Sequence, residues 1–151
     1  MMDAATQALI TAFPLGFTAT VCADGTPAVA PKGTFVVVDD DTLGFADIRS
    51  PGTMKNLAHQ AMCEVNFIDI LKRTGVRVKG ATTTHPRGSD SFDTLLPRWA
   101  AIWPDLAPRI RAIVLVKAEK VSHYRTPPYD DGATEEEMVA LYKAKFAEMY
   151  S

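Results

Sequence analysis

The stretch Gly44-Phe-Ala-Asp-Ile-Arg-Ser-Pro-Gly-Thr-Met-Lys-Asn-Leu57 carries the residues of this chain whose types and spacing are best suited to chemistry. An apolar run from Leu43 to Ile48 breaks at Arg49-Ser50-Pro51-Gly52-Thr53 and passes into an amphipathic pattern. That order predicts a strand feeding directly into the first turn of a helix. Ser50 suits the N-cap, and Pro51 suits the first helical position, where no backbone donor is needed. The N–H groups of such a turn have no partner within the helix and attract an anion. Arg49, Ser50, Thr53, Lys55 and Asn56 gather around it. Capping accounts for Ser50 and Pro51 only. A bound phosphate also accounts for Arg49, Thr53 and Lys55 at the positive end of a helix dipole.

The elements that must position this turn are legible on either side. Residues 3–13 carry Ala4, Ala5, Ala8, Leu9 and Ala12 at helical spacing, stopped by Pro14. Gly16 to Ala23 reads as a strand and Ala23-Asp24-Gly25-Thr26-Pro27 as a hairpin turn. Ala28 to Asp39 reads as the second strand, interrupted near Pro31-Lys32-Gly33, where a bulge or a close approach is expected. The third strand runs from Leu43 to Asp47, and a helix follows from Pro51 to about Gln60. Cys63–Ile70, Val76–Thr83 and Ala112–Val121 supply three more strands. Residues 89–103 form a helical pattern through Phe92, Leu95, Leu96, Trp99 and Trp103, with Pro97 inside it. Thr134-Glu-Glu-Glu137 opens a last helix with an expected buried stripe of Met138, Tyr142, Phe146 and Met149. Tight turns between consecutive strands favour an antiparallel sheet, and six such strands hide their edges best by curling. The expected fold is therefore α+β, a six-stranded antiparallel barrel with flanking helices, in one domain over residues 1–151.

Composition narrows the function. A chain of 151 residues with 47% hydrophobic and 23% charged residues supports one globular core. A net charge of −2 gives no general attraction to nucleic acid or anionic membrane, so an anion site must be local. The N-terminus lacks a basic segment followed by an apolar one, and no apolar run is long enough to span a bilayer. Cys22 and Cys63 fall in expected strands and read as two buried thiols in a reducing cytoplasm. His59, His85 and His123 are scattered, and no cysteine–histidine spacing suggests a metal site. The default for Arg77 and Lys79 is a solvated strand face, for Trp99 and Trp103 core or dimer packing, and for Asp47 a strand-end cap.

Four segments carry a family resemblance: Asp24-Gly-Thr-Pro27 with Val29-Ala-Pro-Lys-Gly33, Asp41-Thr-Leu-Gly-Phe-Ala-Asp47, Ser50-Pro-Gly-Thr-Met-Lys-Asn-Leu57, and Val76-Arg-Val-Lys-Gly80. Together they resemble the pyridoxamine 5′-phosphate oxidase-like, FMN-binding split-barrel superfamily. The resemblance implies a split barrel and a homodimer with FMN at its interface. It places the flavin edge on Ala30, Pro31 and Lys32, the isoalloxazine and ribityl chain along Ala46 and Asp47, and the phosphate on Ser50 and Thr53 with Asn56 close by. The oxidase proper carries an Arg-Lys pair in this turn, where Gly52-Thr53 stands here. Arg49 and Lys55 are the candidates to replace that charge. The chain shows no match to the oxidase's C-terminal segment for pyridoxine phosphate, so a different small-molecule substrate is expected.

In this reading Lys32 approaches the pyrimidine edge of the flavin and favours its reduced, anionic form. Tyr124 and Tyr129, flanking Pro127-Pro128, form a loop able to cover flavin or substrate. The function implied is an FMN-dependent oxidoreductase exchanging a hydride at flavin N5. A non-catalytic FMN-binding or electron-transfer module and, last, a haem-handling protein are the alternatives.

Overall fold

A computed structural model describes residues 1–151. The N-terminal helix α1 (Ala4–Ala12) begins at Asp3, whose carboxylate accepts from the Thr6 N–H. Strands β1 (Gly16–Val21) and β2 (Pro27–Lys32) form a hairpin. Its turn is closed by Asp24, which accepts from both the N–H and the hydroxyl of Thr26, with Gly25 at φ +85°. Strands β3 (Val36–Asp39) and β4 (Thr42–Asp47) precede helix α2 (Pro51–His59). Strands β5 (Met62–Asp69) and β6 (Thr74–Pro86), helix α3 (Asp90–Ala100), strand β7 (Ala112–Arg125) and helix α4 (Glu135–Met149) complete the chain.

All strand pairs are antiparallel, in the order β2-β1-β5-β6-β7-β4-β3. Strands β2 and β3 are consecutive in the chain yet occupy opposite edges of the sheet. Only Gly33, Thr34 and Phe35 join them, a link that spans at most about 14 Å. The sheet must therefore curl until its edges nearly meet, leaving a barrel open along one seam. This corrects the expected strand count from six to seven. The single strand anticipated from Ala28 to Asp39 leaves β1 at Lys32, crosses the seam, and pairs with β4 from Val36.

Alternation along the strands fills the barrel. Val65, Phe67, Val76, Val78, Val114 and Val116 point inward and are buried. Phe35 closes the seam end of this core, stacked edge-on against Phe67 at 4.9 Å. A second core lies outside the barrel, where Phe92, Leu95 and Trp99 of α3 pack on Val36, Ala46 and Ile113. Strand β4 is covered on both faces, which explains why it reads as a continuous apolar run. Helix α4 departs from expectation: of its apolar stripe only Met138 is buried, Tyr142 and Phe146 are half-exposed and Met149 is exposed.

A register shift between Lys79 and Gly80 bends β6 against β7. A Cβ on Gly80 would stand 1.7 Å from the Lys117 carbonyl oxygen, a backbone atom that cannot yield without parting the strands. Gly80→Ala is expected to cost about 3 kcal/mol, read as a lower urea midpoint with an unchanged slope. A midpoint equal to wild type would mean that the bulge relaxes freely.

Candidate functional site

The seam brings together the end of β2 and the β4–α2 junction. The register puts Lys32 opposite Gly16, at the seam edge of the barrel. Its Nζ donates to Ser50 Oγ at 2.9 Å and lies 6.0 Å from the Phe45 ring. Burial holds the Lys32 ammonium below the usual lysine value, and the nearby Asp47 carboxylate offsets part of that shift. Lys32 makes no ion pair. It is a half-buried cation whose only hydrogen-bond partner is a neutral hydroxyl.

Across the seam, Ser50 occupies the N-cap position of α2, but its side chain caps nothing. This corrects the expected capping role: the hydroxyl is turned to Lys32, while Asp47 Oδ1 accepts from the Ser50 N–H at 3.0 Å. The first turn of α2 is thus left without a side-chain acceptor. Pro51 has no N–H, so the free donors of the turn are those of Gly52 and Thr53. A Cβ on Gly52 would meet nothing within 4 Å, so the approach to these amides is open.

Two grooves meet at this junction and share Lys32, Arg49 and Ser50. One, of about 630 Å³, runs along the seam past Pro31, Thr34 and Ala46 and is bounded by Arg109 and Arg111. The other, of about 470 Å³, runs over the first turn of α2 past Ala30, Thr53 and Asn56.

Ala30, Pro31, Lys32, Ala46, Arg49, Ser50, Thr53 and Asn56 therefore come together as anticipated. Two other candidates, Lys55 and Asp47, do not line either groove. Lys55 lines neither groove: Thr53, Asn56 and Leu57 turn inward on α2, which leaves Lys55 exposed on the far side of the helix. Asp47 is buried and lines neither groove, because its carboxylate closes the turn into α2. Asn56 borders the groove, but its amide is spent on the barrel wall, donating to Thr20 Oγ1 at 3.0 Å and contacting Cys22 Sγ at 3.6 Å. Cys22 itself is half-exposed just beyond β1 rather than buried within it. Cys63 is buried, and burial pushes its thiol up to about 12, which makes it inert.

Arg109 and Arg111 escaped the sequence reading. Nothing local marks them: Arg109-Ile110-Arg111 precedes β7 like any polar approach to a strand. They reach the groove because β7 pairs antiparallel with β4, setting Ala112 beside Asp47. The remaining candidates lie elsewhere. Arg77 and Lys79 face outward, Lys79 pairing with Glu64 at 3.1 Å. Tyr124 donates to Asn66, and Tyr129 to the Lys72 carbonyl. His123 contacts Thr6 at 2.8 Å, His85 contacts Thr83 and Ser91, and His59 ends α2. None of these residues borders either groove.

An antiparallel sheet curled into a barrel, open along one seam and lined there by cations, defines the class: an α+β split-barrel domain. The chain belongs to the pyridoxamine 5′-phosphate oxidase family, whose model matches residues 2–125. No curated protein matches the chain. Among solved structures, it is similar to HupZ of Group A Streptococcus, at 22% identity and TM-score 0.72 over 83% of this chain and 96% of that one. It is similar to an FMN-binding protein of Syntrophomonas wolfei, at 18% identity and TM-score 0.66 over 81% and 85%. A third is a Clostridium acetobutylicum protein of the pyridoxinephosphate oxidase family related to general stress protein 26, at 18% identity and TM-score 0.61 over 78% and 84%. At these identities the likeness establishes the fold. No helix is long and apolar enough to cross a membrane.

Proposed function

We propose that the chain is an FMN-dependent oxidoreductase acting on a small molecule, with the cofactor's phosphate held at the β4–α2 junction. The observation that carries this reading is the Lys32–Ser50 contact across the seam. It sets a partly desolvated ammonium that makes no ion pair beside an uncapped helix N-terminus. That donor set fits a phosphate monoester: one charge-assisted donor, one hydroxyl and two backbone amides. When bound, FMN supplies two-electron chemistry by exchanging a hydride at N5. The chain's part is to bind and orient. Lys32, Ser50, Gly52 and Thr53 hold the phosphate, Arg49 adds charge where the two grooves meet, Pro31 and Ala46 offer backbone along the seam, and Ala30 does so beside the α2 turn. In this proposal Lys32 serves the phosphate end rather than the pyrimidine edge, a reading supported by its contact with Ser50.

A homodimer belongs to the same proposal. Phe17, Val29 and Pro31 share the outward face of β1 and β2, where Val29 is 69% and Phe17 39% exposed. A second copy on this face covers apolar surface and shelters the adjoining grooves. The purified protein is expected to run as a dimer on gel filtration and to quench the fluorescence of added FMN saturably. Colourless protein with no saturable quenching would sink the reading. Stopped-flow reduction of the loaded protein by NADH or NADPH then separates a catalyst from an FMN-binding module.

A further inference from the structure

We propose that Arg109 and Arg111 form a second anion subsite, distinct from the α2 turn, that takes a carboxylate or phosphate group of the substrate. The segment that carries them is pinned from several sides. Arg87 Nε donates to the Ile110 carbonyl at 2.7 Å, and its Nη2 donates to the Ala107 carbonyl at 2.6 Å. The Arg111 N–H donates to the Asp47 carbonyl at 2.8 Å, and the Arg87 N–H to the Arg111 carbonyl at 2.8 Å. Ile110, between the two arginines, is 1% exposed and packs beneath α3. The backbone is fixed while both guanidinium side chains stand exposed on the seam groove.

The charges along the groove single the pair out. Lys32, Arg49, Arg109 and Arg111 all line this groove, and none of them takes part in an ion pair. The chain as a whole carries more acid than base, with 18 Asp and Glu against 16 Lys and Arg. Asp47, the carboxylate that acts on Lys32, is buried and accepts from the Ser50 N–H. Four cations on one groove, none in an ion pair and only Lys32 under the influence of a carboxylate, Asp47, form a local positive field on an otherwise acidic protein. A phosphate monoester brings about two negative charges at neutral pH, which Lys32, Arg49 and the helix terminus match. Arg109 and Arg111 border only the seam groove, not the one over the α2 turn. Two fork-shaped donors remain there, with the geometry that recognises a planar carboxylate or a phosphate. Assigning that anion to the substrate rests on the FMN reading above, whereas the subsite itself does not.

The test uses the full chain and the Arg109→Ala/Arg111→Ala variant, whose side chains are exposed and whose loss leaves the backbone clamps intact. Inorganic phosphate and succinate are titrated calorimetrically into FMN-loaded and cofactor-free protein, and FMN affinity is measured by fluorescence quenching. The expected result is saturable binding of at least one anion, weakened tenfold or more in the variant, with FMN affinity changed less than twofold. Preference for phosphate or for succinate tells which group the subsite takes. A tenfold loss of FMN affinity in the variant would assign the arginines to the cofactor's phosphate and overturn the proposal while leaving the FMN reading intact. Absence of saturable anion binding by wild type, or equal binding by the variant, also overturns it. If wild type fails to bind FMN, the titrations into cofactor-free protein decide the subsite by the same criterion.

Discussion

Lys32→Met is expected to weaken FMN binding by about 10- to 100-fold. The Lys32 ammonium is half-buried and bonded only to a hydroxyl. A hydrogen bond to a charged group contributes about 1.5–3 kcal/mol, and each 1.4 kcal/mol is a factor of ten in affinity. The substitution keeps the unbranched stem, one atom shorter, and removes its charge. Two further readouts separate this role from a structural one. First, a phosphate prefers the protonated amine, so wild-type affinity falls as pH rises through the Lys32 pKa. Burial sets that pKa below the usual 10.5, so the fall begins on the near side of that value. The variant lacks this alkaline limb. Second, the cofactor-free variant unfolds no earlier than wild type, because the desolvation of the removed charge outweighs its attraction to Asp47. A quenching titration that superimposes on wild type across pH would remove Lys32 from the site.

Trp99→Ala carries the largest expected loss of stability, about 3–5 kcal/mol, out of a total that is typically 5–15 kcal/mol. Trp99 is fully buried and fills the core between α3 and the barrel. Its Nε1 donates to the Thr34 carbonyl at 2.8 Å, and the Ala46 N–H donates to Thr34 Oγ1 at 2.9 Å. Thr34 is thereby tied to α3 and to β4, on the three-residue link that crosses the seam. The alanine variant loses the packing and leaves a carbonyl without its donor. Trp99→Phe isolates the second effect: the ring volume is largely kept, and about 1–2 kcal/mol is expected for the missing donor. Urea unfolding reads both. A phenylalanine variant with the wild-type midpoint would show that the indole N–H does not hold the seam link.

The site itself divides between what was readable and what was not. The β4–α2 junction declares itself in the sequence because strand, N-cap, proline and polar turn follow one another within a dozen residues. The exposed side of α2 was harder. Lys55 looks equivalent to Thr53 when only proximity along the chain is counted, yet the helical period turns it away once Thr53, Asn56 and Leu57 are buried against the barrel. Asn56 and Asp47 have the right chemistry for a ligand, but each is occupied by its own neighbourhood, Thr20 for one and the Ser50 N–H for the other. A polar residue's availability depends on what is packed beside it, and spacing carries no information on that.

The alternation of the strands, the helix turn after Ile48 and the hairpin at Asp24-Gly25 were all legible in the chain before folding, as was its net charge of −2. These are short-range properties, set by periodicity, turn chemistry and total charge. Only folding brings the chain from one sheet edge to the other between Lys32 and Val36, sets Lys32 against Ser50, and carries Arg109 and Arg111 to the same groove from far along the chain. Those outcomes follow from antiparallel pairing of β4 with β7 and from closure of the curled sheet. Both depend on which distant strands share hydrogen bonds, and that choice is made by the packing of the whole barrel.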